Sequence, residues 1–262
     1  MFHASRLLAS LLVLLGTVVS QADQVRATEV DLALVLAVDI SNSMDREEQE
    51  LQRQGFVEAF RSPLVHDAIR KGMLGRIAVV YAEWAGSTIQ YVTVPWTEIE
   101  GVEGALSFAD RLDDAPIHRG PRTSVSGAID LGVRLLAESA VEPVRQVIDI
   151  SGDGANNQGR SVTLARDEAL AKGITINGLP LMLKRPVDSW DTENLDGYYR
   201  DCVIGGPGAF MIPVRERHQF AEAIRTKIIR EIAGRLSDAV VVPAQAEART
   251  NCAAGGYPYR ER

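Results

Sequence analysis

The chain has 262 residues, of which 46% are hydrophobic and 24% are charged, an ordinary composition for a soluble globular protein. Its length suits one large α/β domain or two small ones. The formal net charge of −7 comes without a basic tract. Nucleic acid and anionic lipid surfaces are therefore poor candidates for its partners, and we expect no nucleic-acid binding.

The first 22 residues predict a secretory signal peptide. Arg6 supplies a short positive region, residues 7–19 are nearly all apolar, and the stretch "SQA" has small residues at the first and third positions of a cleavage site. The apolar run is shorter than the roughly 20 residues of a spanning helix, which argues against the alternative of a retained membrane anchor. We expect cleavage after Ala22, a periplasmic or secreted protein, and no membrane insertion of the mature chain.

The predicted elements begin with a strand. The near-continuous apolar run "DLALVLAVD" at 31–39 is typical of a strand buried on both faces of a parallel sheet. A helix follows over 46–63 and ends at Pro63. The next strand is at 75–85, and 87–96 alternates enough to be its antiparallel neighbour. The remaining elements are helices at 102–115 and 123–139, a strand at 145–154, a helix at 160–173, strands at 174–183 and 209–214, and a helix at 216–236.

This alternation predicts an α/β fold with a doubly wound, mostly parallel sheet, one antiparallel edge strand and helices on both faces. In such sheets ligands bind beyond the carboxyl ends of the strands. The polar loops "DISNS" at 39–43 and "SGDGANN" at 151–157 both follow buried strands. We therefore expect these two loops to meet at one edge of the sheet.

The domain is expected to cover 23–236, with two irregular segments. A long excursion at 184–208 interrupts the alternation, and a tail of small residues follows at 237–262. Cys202 lies in the excursion and Cys252 in the tail. In an exported protein an even pair of cysteines favours a disulfide, the alternative being two free buried thiols.

The polar loops carry the oxygen ligands of a hard divalent cation. Asp39, Ser41 and Ser43 stand at alternate positions, so an extended segment directs their oxygens the same way. Asp153 adds a second carboxylate from the neighbouring loop, and Thr123 adds a hydroxyl at a helix start. Mg²⁺ takes six oxygens and keeps some waters, which matches two carboxylates and three hydroxyls.

These residues resemble the metal-ion-dependent adhesion site of the von Willebrand factor A-like domain. That family has the pattern Asp-x-Ser-x-Ser, a separate Thr and a separate Asp; "DISNS", Thr123 and Asp153 match it in order, and the resemblance spans about 31–236. It is closest to secreted bacterial domains of unknown function in that superfamily. The resemblance implies Mg²⁺, with Mn²⁺ or Ca²⁺ as alternative ions. Its direct ligands would be Ser41, Ser43 and Thr123, whereas Asp39 and Asp153 would act largely through waters.

The match has two departures. The family often has two glycines before its Thr, whereas this chain reads "GPRTS", which leaves Thr123 and Ser124 as alternatives for the ligand. The family usually reads Thr-Asp-Gly at its third element, whereas Gly152 precedes Asp153 here. The first departure affects the choice of the hydroxyl ligand, whereas the second should be tolerated.

Two classes of function are compatible with these residues. In the adhesion-site family an acidic residue of a protein partner completes the coordination of the metal, which implies a binding module and not an enzyme. The alternative is a metal-assisted hydrolase or phosphotransferase of the cell envelope, since an Asp after an apolar strand is also typical of aspartyl phosphotransferases. That chemistry requires a second acidic group, and Ser41 stands two residues after Asp39. The sequence therefore favours binding.

Export makes the first prediction. Because 1–22 has the layout of a cleaved signal peptide, N-terminal sequencing of the native protein should begin near Asp23. Loss of Arg6 would leave 27 of the 28 Lys and Arg residues and all 35 Asp and Glu residues, a net charge of −8. Native protein that is found in the cytoplasm and begins at Met1 would contradict this prediction.

Overall fold

A computed structural model describes residues 27–183, 194–234 and 250–253. Its centre is a five-stranded sheet of β2 (Leu32–Asp39), β3 (Arg76–Trp84), β4 (Gln90–Glu100), β6 (Gln146–Gly152) and β7 (Thr175–Pro180). The strand order is β4-β3-β2-β6-β7, and the sheet is parallel except for the β3–β4 pair. A small parallel sheet pairs β1 (Thr28–Val30) with β5 (Val141–Pro143). The doubly wound α/β fold with one antiparallel edge strand is confirmed.

Helices cover both faces of the sheet. One face packs on α1 (Arg46–Arg61), α2 (Pro63–Arg70), α3 (Gly101–Asp114) and α7 (Phe220–Ala233). The other packs on α4 (Val125–Glu138), α5 (Val162–Leu170), the short α6 (Leu195–Tyr198) and a π-helical turn at Tyr199–Val203. None of the helices within the described ranges is long and apolar enough to cross a membrane.

The central strand β2 explains why the site lies where it does. All eight of its residues are buried, as the continuous apolar run predicts for a strand with neighbours on both sides and helices on both faces. In the pairing register, Asp39 lies opposite Trp84 of β3, and Val38 lies opposite Ser151 of β6. The ends of β2 and β6 therefore coincide, and the loops that follow them start side by side.

Three elements differ from the predicted ones. Contrary to the prediction, Pro63 does not end the helical region but is the first residue of a second helix, α2. In the first turn of a helix the missing N–H of proline costs nothing. The small β1–β5 sheet was not predicted. The segment 209–214 forms only isolated bridges to Gly178 and Leu181 rather than a strand, and Pro213 within it has no N–H for a ladder.

The predicted excursion is partly described. Residues 1–22, most of the 237–262 tail and 184–193 of the excursion lie outside the described residues. From 194 onward the excursion folds into α6 and the π-helical turn. Residues 250–253 of the tail lie against this turn, because Asp201 Oδ2 accepts a hydrogen bond from Thr250 N at 2.9 Å.

Cys202 and Cys252 are bonded to each other in the structure. Their Cα atoms are 5.5 Å apart, within the usual range for a disulfide, and the bond joins the π-helical turn to the tail across 50 residues. Cys202 is fully buried. The bond therefore fixes the turn, and not the sheet, to the tail.

A buried charge cluster joins α7 to the sheet. Lys227 Nζ lies 2.7 Å from Glu231 Oε1 and 2.9 Å from Asp149 Oδ1, the latter an ion pair without the geometry of a hydrogen bond. Asn177 Nδ2 donates to Glu231 Oε2 at 2.6 Å. All four side chains are buried. Burial raises the pKa of Asp149 to about 6, although Lys227 acts to lower it.

Replacing Lys227 should test this cluster. Lys227→Met leaves two buried carboxylates without their cation, so the free energy of unfolding at pH 7 should fall by about 3–5 kcal/mol. A carboxyl group whose pKa is raised by folding stabilises the fold below its unfolded pKa, and this contribution is lost as the pH rises through the folded value. Because Lys227 lowers the pKa of Asp149, its removal should raise that pKa above about 6, so the deficit should shrink as the pH falls from 7 toward about 6. Urea unfolding of both proteins at several pH values measures this difference in the free energy of unfolding.

The matched control is Lys172→Met, which removes an exposed lysine just after α5. It should change the free energy of unfolding by less than about 0.5 kcal/mol at any pH. Equal effects of the two substitutions at pH 7 would show that the buried ion pairs contribute nothing.

Candidate metal site

The "DISNS" loop is folded around the carboxylate of Asp39. Asp39 ends β2 and is 0% exposed, and its Oδ1 accepts the N–H of Ser41 at 2.6 Å. The chain then turns away, and a bridge between Ser41 and Gly120 fastens the loop to the segment that leads to α4. Asn42 N donates to the Gly120 carbonyl at 2.9 Å. The loop is thus held by its own carboxylate on one side and by the backbone on the other.

Hydrogen bonds link three of the predicted ligands in a chain. Ser41 Oγ and Ser43 Oγ are 2.7 Å apart, and Ser43 Oγ donates to Asp153 Oδ1 at 2.6 Å. Ser41 is buried and Ser43 is exposed, so the chain of oxygens runs from the interior to the surface. The structure therefore brings the two loops together at the carboxyl edge of the sheet.

Thr123 is placed beside the same loop. Its N–H donates to Asn157 Oδ1 and its carbonyl accepts from Asn157 N, both at 2.8 Å. A Cβ on Gly154 would lie 3.7 Å from both Oγ1 and Cγ2 of Thr123, so the Thr123 side chain lies beside the residue after Asp153. Ser124 instead caps α4, since its Oγ accepts from Gly127 N at 3.1 Å. The cap uses Ser124, which leaves the buried Thr123 as the candidate ligand.

The "GPRTS" departure has a conformational consequence. Arg122 has φ +71° and is the one non-glycine residue with positive φ among the described residues. An L-residue other than glycine, Asn or Asp rarely adopts this region, and such strain is concentrated at functional sites. The chain thus reaches the conformation before Thr123 that a glycine would adopt without strain.

Asp39 is the carboxylate whose surroundings fit a cation. Its Oδ2 is buried and, among the described residues, has no hydrogen-bond partner. Burial raises the pKa of Asp39 well above its usual value, and the nearby charge of Asp153 raises it further. The N–H and hydroxyl of Ser41 and the N–H of Asp153 act in the opposite direction. A divalent cation beside these oxygens would remove the cost of the unpartnered charge.

Two features of the site were not predicted, and both lie behind Asp39. A Cβ on Gly152 would lie 2.8 Å from Asp39 Oδ2 and 3.1 Å from the hydroxyl of Tyr199, so only glycine fits with the present arrangement. Tyr199 is fully buried in the π-helical turn, and its hydroxyl donates to the Gly152 carbonyl at 3.4 Å. Tyr199 could not be predicted because the sequence of the excursion has no helical or strand periodicity. The one signal in the sequence is Gly152, which stands where the family usually has a Thr.

A second polar cluster lies on the opposite face of the sheet. Glu83 is buried, pairs with Arg53 and accepts from the Nδ1 of His118 at 2.7 Å. The His118 ring stacks on Tyr91 with 4.0 Å between centroids. Glu83 is therefore satisfied within the fold. Elsewhere, Asp45 and Glu48 form the capping box of α1, which accounts for these acidic residues beside the loop.

The donor set is chemically specific. No group of three or more His, Cys, Asp or Glu in the described part of the chain could hold a metal, so a thiolate or imidazole centre is not built there. The candidate site instead combines hydroxyls with two carboxylates, which suits a hard, partly hydrated cation. An apolar hollow between Met73 and 141–144 lies elsewhere and includes none of these residues.

Solved structures with the same fold include adhesion and matrix proteins. The pilus adhesin SpaC from Lactobacillus rhamnosus GG matches with a TM-score of 0.59 and 12% identity, over 78% of this chain and 30% of the adhesin. Proximal thread matrix protein 1 of the mussel byssus, with a zinc-occupied MIDAS motif, matches with a TM-score of 0.53 and 10% identity, over 79% of this chain and 47% of the byssus protein. This chain thus spans less than a third of the adhesin and less than half of the byssus protein.

A third structure is matched over nearly its full length. The vWF domain of the type V pili tip protein Mfa5 from Porphyromonas gingivalis has a TM-score of 0.52 and 11% identity, over 81% of this chain and 99% of that domain. At such identities the matches show the fold alone. No curated protein matches the sequence. The profile of a family described as a protein of unknown function, DUF1194, matches residues 29–236, and the chain therefore belongs to this family and has the von Willebrand factor A-like fold.

Proposed function

We propose that the protein is an exported, metal-dependent protein-binding module. The observation that carries this proposal is the carboxylate of Asp39, which is fully buried with Oδ2 unpartnered among the described residues, at the inner end of a chain of hydroxyls. Such a group is costly in a fold unless a cation accompanies it. The adhesin and pilus-tip proteins of the same fold agree with a role in adhesion outside the cytoplasm.

The proposed ligand set has five members. The hydroxyls would bind the metal directly, and the carboxylates would act largely through waters. The set consists of Asp39, Ser41, Ser43, Thr123 and Asp153. Oxygen donors without thiolate or imidazole favour Mg²⁺, with Mn²⁺ or Ca²⁺ as alternative ions. The zinc found in the byssus protein supports a divalent ion at a site of this type.

The proposed partner presents an acidic residue. When bound, the cation supplies a positive charge and an exchangeable position that a carboxylate of the partner can take. Two helices also begin at the site, α1 after Asp45 and α4 after Ser124, and helix N-termini favour a nearby carboxylate. These contributions must offset the long-range repulsion from a net charge of −8 in the proposed mature chain. Metal and partner should therefore bind with reciprocal positive coupling.

Substitution of the ligands should remove metal binding in a graded way. Asp39→Ala should abolish binding of Mg²⁺ and Mn²⁺ because it removes a preformed charge. Ser41→Ala and Thr123→Ala should each weaken it less, since each removes one neutral oxygen. Calorimetry with each ion measures this series. Envelope proteins that the unaltered chain retains in Mg²⁺ should elute with chelator and should not bind Asp39→Ala.

Glu138→Ala is the matched control, because Glu138 is an exposed carboxylate at the opposite end of α4 from Thr123. It should leave metal binding unchanged. Partner binding that is insensitive both to chelator and to Asp39→Ala would refute the adhesion-site mechanism. Turnover of a generic phosphoester by the Mg²⁺-loaded protein would instead support the metal-assisted hydrolase.

The same buried charge predicts a conflict between stability and binding. Asp39→Asn keeps the acceptor for the Ser41 N–H but removes the buried charge. In chelator at pH 7.5 this substitution should increase the free energy of unfolding by about 1 kcal/mol. Adding Mg²⁺ should then stabilise the unaltered protein but not the variant, because only a bound ligand shifts the equilibrium. Thermal unfolding measures both effects, and a variant less stable than the unaltered protein in chelator would contradict the prediction.

A further inference from the structure

Tyr199 is the group that lies directly behind the candidate metal site. It is 0% exposed, and its hydroxyl donates a hydrogen bond to the carbonyl of Gly152, which is the residue before Asp153. The position of a Cβ on Gly152 is 3.1 Å from this hydroxyl and 2.8 Å from Asp39 Oδ2. The two oxygens therefore flank one small space that the glycine leaves open.

The two oxygens have different roles. Asp39 Oδ2 is a buried acceptor without a partner among the described residues, whereas Oδ1 is already used by Ser41 N–H. The Tyr199 hydroxyl donates its one proton to the Gly152 carbonyl at 3.4 Å. It therefore acts beside Oδ2 through the backbone of Gly152 and not through a hydrogen bond to the carboxylate.

We propose that Tyr199 is a positioning residue of the metal site, whose hydroxyl holds the Gly152 carbonyl and so fixes the backbone between the Asp39 carboxylate and Asp153. This inference rests on the proposed metal-dependent function and adds a residue to it. The usual family pattern places a threonine at position 152. Here a side chain at 152 and the Tyr199 hydroxyl would compete for the same space, so the glycine and the tyrosine form one unit.

The surrounding contacts hold Tyr199 rigidly in this place. Its ring packs on the backbone of β7, since a Cβ on Gly178 would lie 2.6 Å from Tyr199 Cδ1. Tyr198 accepts the N–H of Asn156, in the loop that follows Asp153, at 3.1 Å. Three residues beyond Tyr199, the disulfide of Cys202 fastens the same turn to the tail. The described part of the excursion thus packs against the loop that carries Asp153.

The direct test is Tyr199→Phe, which removes the hydroxyl and keeps the ring. Affinity for Mg²⁺ and for Mn²⁺, measured by calorimetry on the full chain, should fall about 10–100-fold, the usual effect of removing a group that orients a metal ligand. Tyr81→Phe is the matched control, because its equally buried hydroxyl lies beside Arg53 on the opposite face of the sheet. Tyr81→Phe should leave metal affinity unchanged, even if it lowers the melting temperature as much as Tyr199→Phe does.

A second substitution separates positioning from general support. Gly152→Ser introduces a hydroxyl into the shared space, and the φ of Gly152 is not positive, so serine fits the backbone. In the unaltered chain it should crowd Asp39 and Tyr199 and lower metal affinity. In the Tyr199→Phe background it should lower metal affinity less, because the hydroxyl that competes for this space is gone while the contact with Asp39 Oδ2 remains. This non-additivity is not expected if Tyr199 acts only through stability.

The outcomes are distinguishable. Tyr199→Phe with unaltered metal affinity, or with a loss no greater than that of Tyr81→Phe, would overturn the inference while the proposed function stands. A Gly152→Ser substitution that is equally harmful in both backgrounds would also overturn it. An unaltered protein that binds neither Mg²⁺ nor Mn²⁺ would overturn the proposed function and this inference together.

Discussion

The site depends on one constraint, a carboxylate at the end of a central parallel strand that is buried on every side. Asp39 follows seven buried residues of β2 and is itself 0% exposed. Hydration is denied to it, so its charge must be balanced by groups that the fold or a ligand supplies. The turn at Ser41, the absence of a side chain at Gly152 and the burial of Tyr199 are all arrangements of the chain around this carboxylate.

Comparison with two other buried acids of the protein supports the proposal of a cation. Glu83 has Arg53, and Asp149 has Lys227, so each of these carboxylates faces a cationic side chain inside the fold. Asp39 faces none in the part of the chain that the structure describes, and the charge that acts most on its pKa is another carboxylate, Asp153. An ion from outside would give Asp39 the cationic partner that Glu83 and Asp149 find within the chain.

Much of the architecture could be predicted because it follows from local patterns. The apolar run of β2, the alternation of β4 and the order of the loops require no knowledge of distant contacts. The charge cluster around Lys227 could not be predicted, because one Lys in an amphipathic helix and one Asp in a strand look like surface positions until the two elements are docked. The prediction of a strand at 209–214 was wrong. The apolar composition of this segment predicts a strand, but Pro213 lacks the N–H that a ladder requires.

The same distinction applies within the site. Asp39, Ser41 and Ser43 could be predicted as candidate ligands because their spacing is local, whereas Tyr199 is 160 residues away from Asp39 and reaches the neighbouring Gly152 carbonyl only after the excursion has folded. A trace of it is nevertheless present in the sequence. Where a buried site has a glycine in place of the usual side chain, the volume is either empty or filled from elsewhere, and close packing makes an empty volume costly. Gly152 is therefore informative as a departure, and the group that lies beside it in this fold is the hydroxyl of Tyr199.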